Sequence, residues 1–349
     1  MMVNLFVFIP TILIEARFQG AVMAVPIAII IGSTFLFVYV HANNKFPEKG
    51  MPEILALTPK WFRVLFLSFL ASMWFLAGSI SLLAFNNVAI RFLNPDIQGV
   101  YLITAFAVCV YIIISLLNTA QILYALEIIL ILNFPLLIMF VSQAYLNDYI
   151  SWSSVLEVSG NFSEIPSYGV LAAATFIFSG YANMTIFSRV FKEKIKLRTM
   201  WVLPVLGALT LFTTLFIPIG FWGADGVGDL SFPWVSTADT LRIEYGPIER
   251  LISIFLLLYI SISLMSVIVH WHVSFEMIKS IMPGKEKEKR RRLVERVMLI
   301  SFILVTIVLE MNLREEGILT IGKYWLNLRF PSEAVLVITM FLLARRKAR

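Results

Sequence analysis

Thr175–Phe191, TFIFSGYANMTIFSRVF, is the stretch whose reading decides the fold. It opens as apolar helix, is interrupted at Ser179-Gly180-Tyr181, resumes as apolar helix and runs into a basic loop from Lys192 to Arg198. In lipid a backbone cannot leave its hydrogen bonds open unless protein or a water-filled cavity receives them. A weak point midway through a crossing is therefore either a packing device or a ligand site. Glycine is common in transmembrane helices, so Gly180 alone does not separate the two, and the decision falls to the rest of the chain.

That chain has 349 residues, 59% of them hydrophobic and only 14% charged, with a mean hydropathy of +0.86. This balance excludes a soluble domain and describes a multi-span α-helical membrane protein. The apolar runs are long and continuous, whereas a transmembrane β-barrel would alternate over short segments. The single cysteine, Cys109, lies inside one of those runs, which rules out an internal disulfide framework and a cysteine-rich metal site. The first residues, MMVNLFVFIP, place no basic segment before the apolar one, so no cleavable signal is expected.

Against the roughly 20 residues that cross a bilayer, the apolar runs predict spans near 2–14, 21–41, 62–90, 100–117 and 123–145, then 169–188, 199–222, 248–271, 294–311 and 327–344. Polar segments at Asn147–Tyr168 and Gly223–Pro247 read as outside loops with short amphipathic pieces. Three-quarters of the chain's 28 Lys and Arg residues cluster in four places: Lys45–Arg63, Arg189–Arg198, Lys279–Arg296 and Arg345–Arg349. With ten spans and both termini cytoplasmic, all four clusters fall inside, as the positive-inside rule requires. Arg17, Arg91, Arg242, Arg250, Arg314, Lys323 and Arg329 fall on or near the outside. The run Lys285–Arg292 is then a solvated loop beside anionic headgroups, and its charge does not call for a nucleic acid.

Ten spans divide into two sets of five that start from opposite sides, so the halves (about 1–146 and 169–344) are expected to be inverted repeats within one transmembrane domain, 1–349. In that architecture the first helix of each half is broken and the ligand sits at the breaks. The second half begins with the helix that contains Gly180. Its counterpart holds Asn4, Pro10 and Thr11, and Pro10 removes a helix hydrogen bond. The match favours a ligand site over packing. Span one has only about 13 apolar residues before Glu15, too few to cross unaided. It reads as a truncated helix, either lost or begun upstream of Met1.

The loop into span eight reads FPWVSTADTLRIEYGPIERLISIFLLLYI, Phe232–Ile260. Its aromatic-Pro pair (Phe232-Pro233), polar stretch with a leucine (Ser236–Leu241) and Ile248-Glu249-Arg250 start to span eight resemble the B subunits of spore germination nutrient receptors, the endospore germination permeases. So do Lys45-Phe46-Pro47 after span two and the Gly180 break. These proteins belong to the amino acid–polyamine–organocation superfamily. The resemblance implies an all-α polytopic membrane protein with a LeuT-like 5+5 inverted repeat. It departs at the start of the chain, where Val3-Asn4-Leu5 is bulkier than the small residues usual at the break in helix one.

The resemblance also implies a small nutrient, such as an amino acid, as ligand, in the inner membrane of an endospore former. Two partners follow from it: a larger membrane A subunit with a soluble domain, and a lipoprotein C subunit. Free main-chain groups at the breaks complement an amino acid, N–H groups for the carboxylate and carbonyls for the ammonium. Candidate ligand-binding residues are Asn4, Phe6 and Phe8 on helix one, and Phe178, Gly180, Tyr181 and Asn183 on helix six; the aromatic residues equally suit core filling. Ser79, Leu82 or Asn86 of span three stand by to close the site.

Glu127 in span five is an intramembrane carboxylate and so a candidate for proton coupling, or a residue that snorkels to the interface. Ser261 and Ser263 are candidates for an ion site, or serines bonded to their own backbone. Glu249 and Arg250 read either as a helix-start carboxylate beside a headgroup-facing arginine, or as a structural clasp between outer loop and bundle. His270 and His272 read as interface residues, and no metal or cofactor is expected. Gly226-x-Gly228 lacks the strand and helix of a nucleotide site, and no nucleophile pairing is visible, so the chain is read as not an enzyme. The leading expectation is a germinant-recognition subunit. The alternative is an ion-coupled amino-acid transporter, and a third reading is a passive conduit for ions or water.

Overall fold

The computed structural model describes residues 6–92, 95–242, 250–282 and 288–348. They form an all-α polytopic membrane protein. Ten helices take up the ten expected positions. In the first half these are α1 Phe8–Glu15, α2 Ala21–Asn43, α3 Lys60–Phe92, α4 Gly99–Leu116 and α5 Thr119–Tyr145. In the second they are α6 Tyr168–Val190, α7 Val202–Trp222, α8 Leu251–Ile281, α9 Glu288–Asn312 and α10 Glu315–Ala348. Eight of these are long and apolar enough to cross a membrane. The two that are not are α9, whose apolar part carries Glu295, Arg296 and Glu310, and α1, whose eight residues reach only about 12 Å at 1.5 Å per residue.

Local chemistry explains the tightest turns. Only Leu117 and Asn118 separate α4 from α5, and Asn118 starts α5 with a capping box. Its side chain accepts from the Gln121 N–H at 3.0 Å while the Gln121 side chain accepts from the Asn118 N–H at 2.9 Å. Short helices at Trp152–Ser159 and Pro233–Thr240 lie in the two segments expected to carry them. The second begins on the Phe232-Pro233 pair, with proline at the first helical position, where its missing N–H costs nothing. Phe232 and Trp234 are buried there, and the Trp234 indole donates to the Thr214 carbonyl at 3.2 Å, tying this loop to α7.

The core is built around α3 and α8, which make the most extensive helix–helix interface. Lipid tails are as apolar as leucine, so close approach rather than hydrophobicity drives such packing. Gly78 provides it: a Cβ there would stand 2.4 Å from the Trp271 ring, which is fully buried. Ser274 of α8 adds a 2.8 Å bond to the Ala71 carbonyl of α3. By contrast, α4 and α5 are peripheral and turn apolar side chains such as Tyr101, Ile112, Ile128 and Ile131 outward, as helices bathed in lipid do. Cys109 is exposed on α4.

One placement differs from expectation. The sequence puts Arg329 on or near the outside, ahead of the last apolar run, but α10 begins at Glu315 and only Leu313 and Arg314 separate it from α9. Arg329 therefore lies well within a 34-residue helix and is 4% exposed. Its charge is tolerated because α10 itself provides a carboxylate one turn later, at Glu333.

Candidate functional site

The break in α6 takes the form of tightened helix. Tyr168–Thr175 is α-helical, Phe176–Asn183 is a 3-10 helix of eight residues, and Met184–Phe187 returns to α. Asn183, at φ −68 and ψ −18, has dihedrals typical of 3-10 geometry. Runs longer than three or four residues are uncommon, because side chains at i and i+3 eclipse and the hydrogen bonds are poorer. Eight such residues need support from outside the helix, and α10 gives it.

Arg329 and Glu333 form a salt bridge of 2.9 Å with side chains 4% and 8% exposed. The Arg329 guanidinium spans the junction where α-helix becomes 3-10. It donates to the Ala172 carbonyl, to Thr175 Oγ1 at 3.0 Å and to Ser179 Oγ. A cation at the C-terminal end of the α-helical piece also meets the negative end of its dipole. Glu333 Oε2 then accepts from Ser179 at 2.9 Å and Tyr181 at 3.4 Å, both on the 3-10 segment. The fork of an arginine suits this double duty, as a lysine would not. Pro331, between the two charges, has no N–H for the Asn327 carbonyl. The Tyr168 hydroxyl, at the start of α6, donates to that carbonyl at 2.6 Å instead.

Beside this pair lies a cavity of about 30 Å³ bounded by α3, α6, α8 and α10. Trp74, Trp325, Asn183, His270, Arg329 and Glu333 are among its lining residues. The indole N–H groups are engaged, Trp74 with Asn183 Oδ1 at 2.8 Å and Trp325 with the Met73 carbonyl at 3.1 Å. Arg329 Nε is buried and has no hydrogen-bond partner. A cavity of this volume is too small for an amino acid, which enters only if the helices part.

The residues singled out in the sequence distribute unevenly around this centre. Tyr181 and Asn183 belong to it, and Gly180 is the exposed residue between Ser179 and Tyr181. Phe178 is held elsewhere: a Cβ on Gly207 of α7 or Gly32 of α2 would stand 2.4 or 2.5 Å from its ring, so both helices close directly onto it. Phe8 packs on Gly322 of α10 in the same way. Phe6 joins an aromatic cluster, edge-on to Phe255 at 5.1 Å and to Tyr259 at 6.3 Å. Asn4 lies outside the described residues. Of the span-three candidates, Ser79 bonds Thr306 at 2.9 Å and Asn86 donates to Glu310 at 2.6 Å, joining α3 to α9, and Leu82 is buried.

Glu127 stands exposed on α5. Six residues on, Asn133 accepts from Ser261 at 2.9 Å, while Ser263 is buried in α8. Glu249 lies outside the described residues, and Arg250 is exposed, its backbone bridging to Arg242. His270 and His272 are buried against neighbouring helices: His270 Nδ1 bonds the Ser266 carbonyl at 2.6 Å, and His272 Nε2 lies 3.0 Å from Thr119 Oγ1.

A second polar network lies where α6 ends. Arg189 pairs with Glu53, in the short helix Met51–Ile54 after α2, at 2.8 Å and with Glu276 of α8 at 2.7 Å. Glu276 bonds Lys279, which reaches Glu295 of α9 at 3.7 Å. The Lys45-Phe46-Pro47 stretch sits beside it: Phe46 is buried and the Lys347 ammonium of α10 lies 4.8 Å over its ring. The start of the 3-10 segment and the far end of α6 are thus both tied to charged groups of other helices.

A search of curated proteins finds no match. The sequence profile described as spore germination protein, the Spore_permease family, matches residues 5–316. With that profile covering most of a polytopic membrane chain, the chain belongs to the family of spore germination proteins.

Proposed function

We propose that this protein is the nutrient-recognising membrane subunit of a germinant receptor. A small nutrient such as an amino acid engages the 3-10 segment of α6 and its neighbours on α1, and two arrangements of the bundle differ in their affinity for it. The A and C subunits read that difference. The observation that carries this reading is the eight-residue 3-10 segment braced by a buried ion pair, in a chain of the spore germination family. An intramembrane ion pair is a functional feature by default, and a long 3-10 run marks a hinge.

The hinge has a definite stroke. Eight residues rise about 16 Å as 3-10 helix and about 12 Å as α-helix. Relaxation to α would shorten α6 by roughly 4 Å and turn everything beyond Asn183, including Arg189. A ligand drives that change only through unequal affinity for the two forms. In this reading the halves 1–146 and 169–344 are inverted repeats, both termini face the cytoplasm, and the membrane is the inner membrane of the spore.

An ion-coupled permease is the second reading, supported by carboxylates on membrane helices at Glu333 and Glu310, where a coupling ion or proton would be housed. Protein reconstituted in phospholipid vesicles separates the two. Saturable binding of one of the twenty common amino acids without counterflow is the expected result, and gradient-driven uptake would establish the permease. Absence of both binding and uptake across that panel would remove the nutrient reading.

A further inference from the structure

Arg329, which lines the cavity between α3, α6, α8 and α10, is the one lining residue among those described that keeps a buried donor without an acceptor. Arg329 has five N–H groups in a planar fork. Its Nη1 and Nη2 atoms are engaged with Glu333, Ser179, Thr175 and the Ala172 carbonyl, while Nε has no partner. Arg329 is 4% exposed, so bulk water does not serve that Nε. Leaving a buried charged donor unmet costs more than leaving a neutral one. What the cavity lacks is therefore an acceptor, and the acceptor that suits the side of a guanidinium best is a carboxylate.

We propose that Arg329 is the carboxylate anchor of the nutrient site, taking the acid group of an amino acid through Nε. This rests on the nutrient-recognition reading above and goes beyond it in naming the anchor, on α10 rather than on the main chain of the broken helices. The other polar groups of the cavity fit the second charge of such a ligand. Glu333 and Asn183 Oδ1 offer acceptors for an ammonium on α10 and α6, and Trp74 and Trp325 offer aromatic walls. Recognition and the hinge then share one cation, since the guanidinium that meets the ligand also holds Ala172 before the 3-10 segment and Ser179 within it. A ligand carboxylate competes with those contacts for the same positive charge.

The test compares the twenty common amino acids with their primary carboxamides, which keep the ammonium and side chain but lose the negative charge. Equilibrium binding is measured on the full chain in phospholipid nanodiscs. For the wild type, the best-bound acid should exceed its carboxamide by about 10- to 100-fold, the range of a charge-assisted hydrogen bond. Arg329→Gln should remove that preference, so that acid and carboxamide bind within about threefold of each other, whereas Arg329→Lys, which keeps the charge but not the fork, should remove part of it. Acid binding unchanged in Arg329→Gln would overturn the anchor and leave the nutrient reading standing. A wild type that binds acid and carboxamide equally would overturn it without any variant, so poor folding of the variants does not shelter the idea. A wild type that binds none of the panel removes both readings.

Discussion

Two arginines hold α6, and they do so in opposite surroundings. Arg329 is nearly inaccessible, meets one carboxylate and satisfies most of its fork on the α6 segment itself. Arg189, at the other end, is shared by Glu53 and Glu276, with side-chain exposures of 22%, 43% and 16%. A half-exposed network gains modest Coulomb energy in high dielectric and is screened by salt. A buried pair has surrendered its hydration, so its geometry must be right or it is a liability. The difference teaches where the molecule is all-or-none and where it can slide. The buried junction of α and 3-10 helix depends on one good geometry, while the half-exposed network at the end of α6 can rearrange at lower cost.

The comparison breaks most readily at Arg329. Arg329→Ala should cost about 3–5 kcal/mol, because it strands Glu333 without its cation, and thermal unfolding of the purified protein reads this directly. Removing both charges with Arg329→Met and Glu333→Leu should recover most of that loss yet leave the protein without a nutrient response. Recovery of the response along with the stability would show the pair to be packing alone. Gly207→Val comes next, at about 1–3 kcal/mol from overpacking, since its side chain meets the Phe178 ring that α7 closes upon. Thermal unfolding unchanged by this substitution would mean α7 does not close as described.

Smaller effects sharpen the contrast. Arg189→Ala should cost about 1 kcal/mol or less, with a difference from wild type that shrinks between 50 mM and 500 mM salt as screening grows. A salt-independent loss would place Arg189 in the same class as Arg329. Gly180→Val should alter stability least, by less than about 1 kcal/mol. Its branched side chain stiffens the 3-10 segment, so protein should reach the membrane at normal abundance without responding. A normal response would return Gly180 to a packing role.

Much of this was legible in the residues. Apolar run length located the ten helices, and Ser179-Gly180-Tyr181, read as an interruption, falls inside the continuous 3-10 segment Phe176–Asn183. The form of that segment was not legible, because a 3-10 run of eight residues depends on what braces it from α10. Arg329 was missed because a basic residue near the start of an apolar run reads as snorkelling to the surface. The signal that would have found it is the five-residue string Arg329-Phe330-Pro331-Ser332-Glu333, which sets opposite charges one helical turn apart around a proline inside a membrane span. Arg329 and Glu333 also lie beyond the residues matched by the family profile, which end at 316. Glu127 drew attention as an acid in an apolar run, but its helix turns that face outward. Periodicity alone does not phase a helix that is apolar all round.

Germination of spores that carry either Arg329→Lys or Arg189→Lys as the chain's only change, at matched abundance in the membrane, tests the central claim most directly. Both substitutions keep the charge and remove the fork. Arg329→Lys spores should need a markedly higher concentration of the amino-acid nutrient to respond, while Arg189→Lys spores should respond nearly as wild type. A full response from Arg329→Lys spores at the wild-type concentration would contradict that claim.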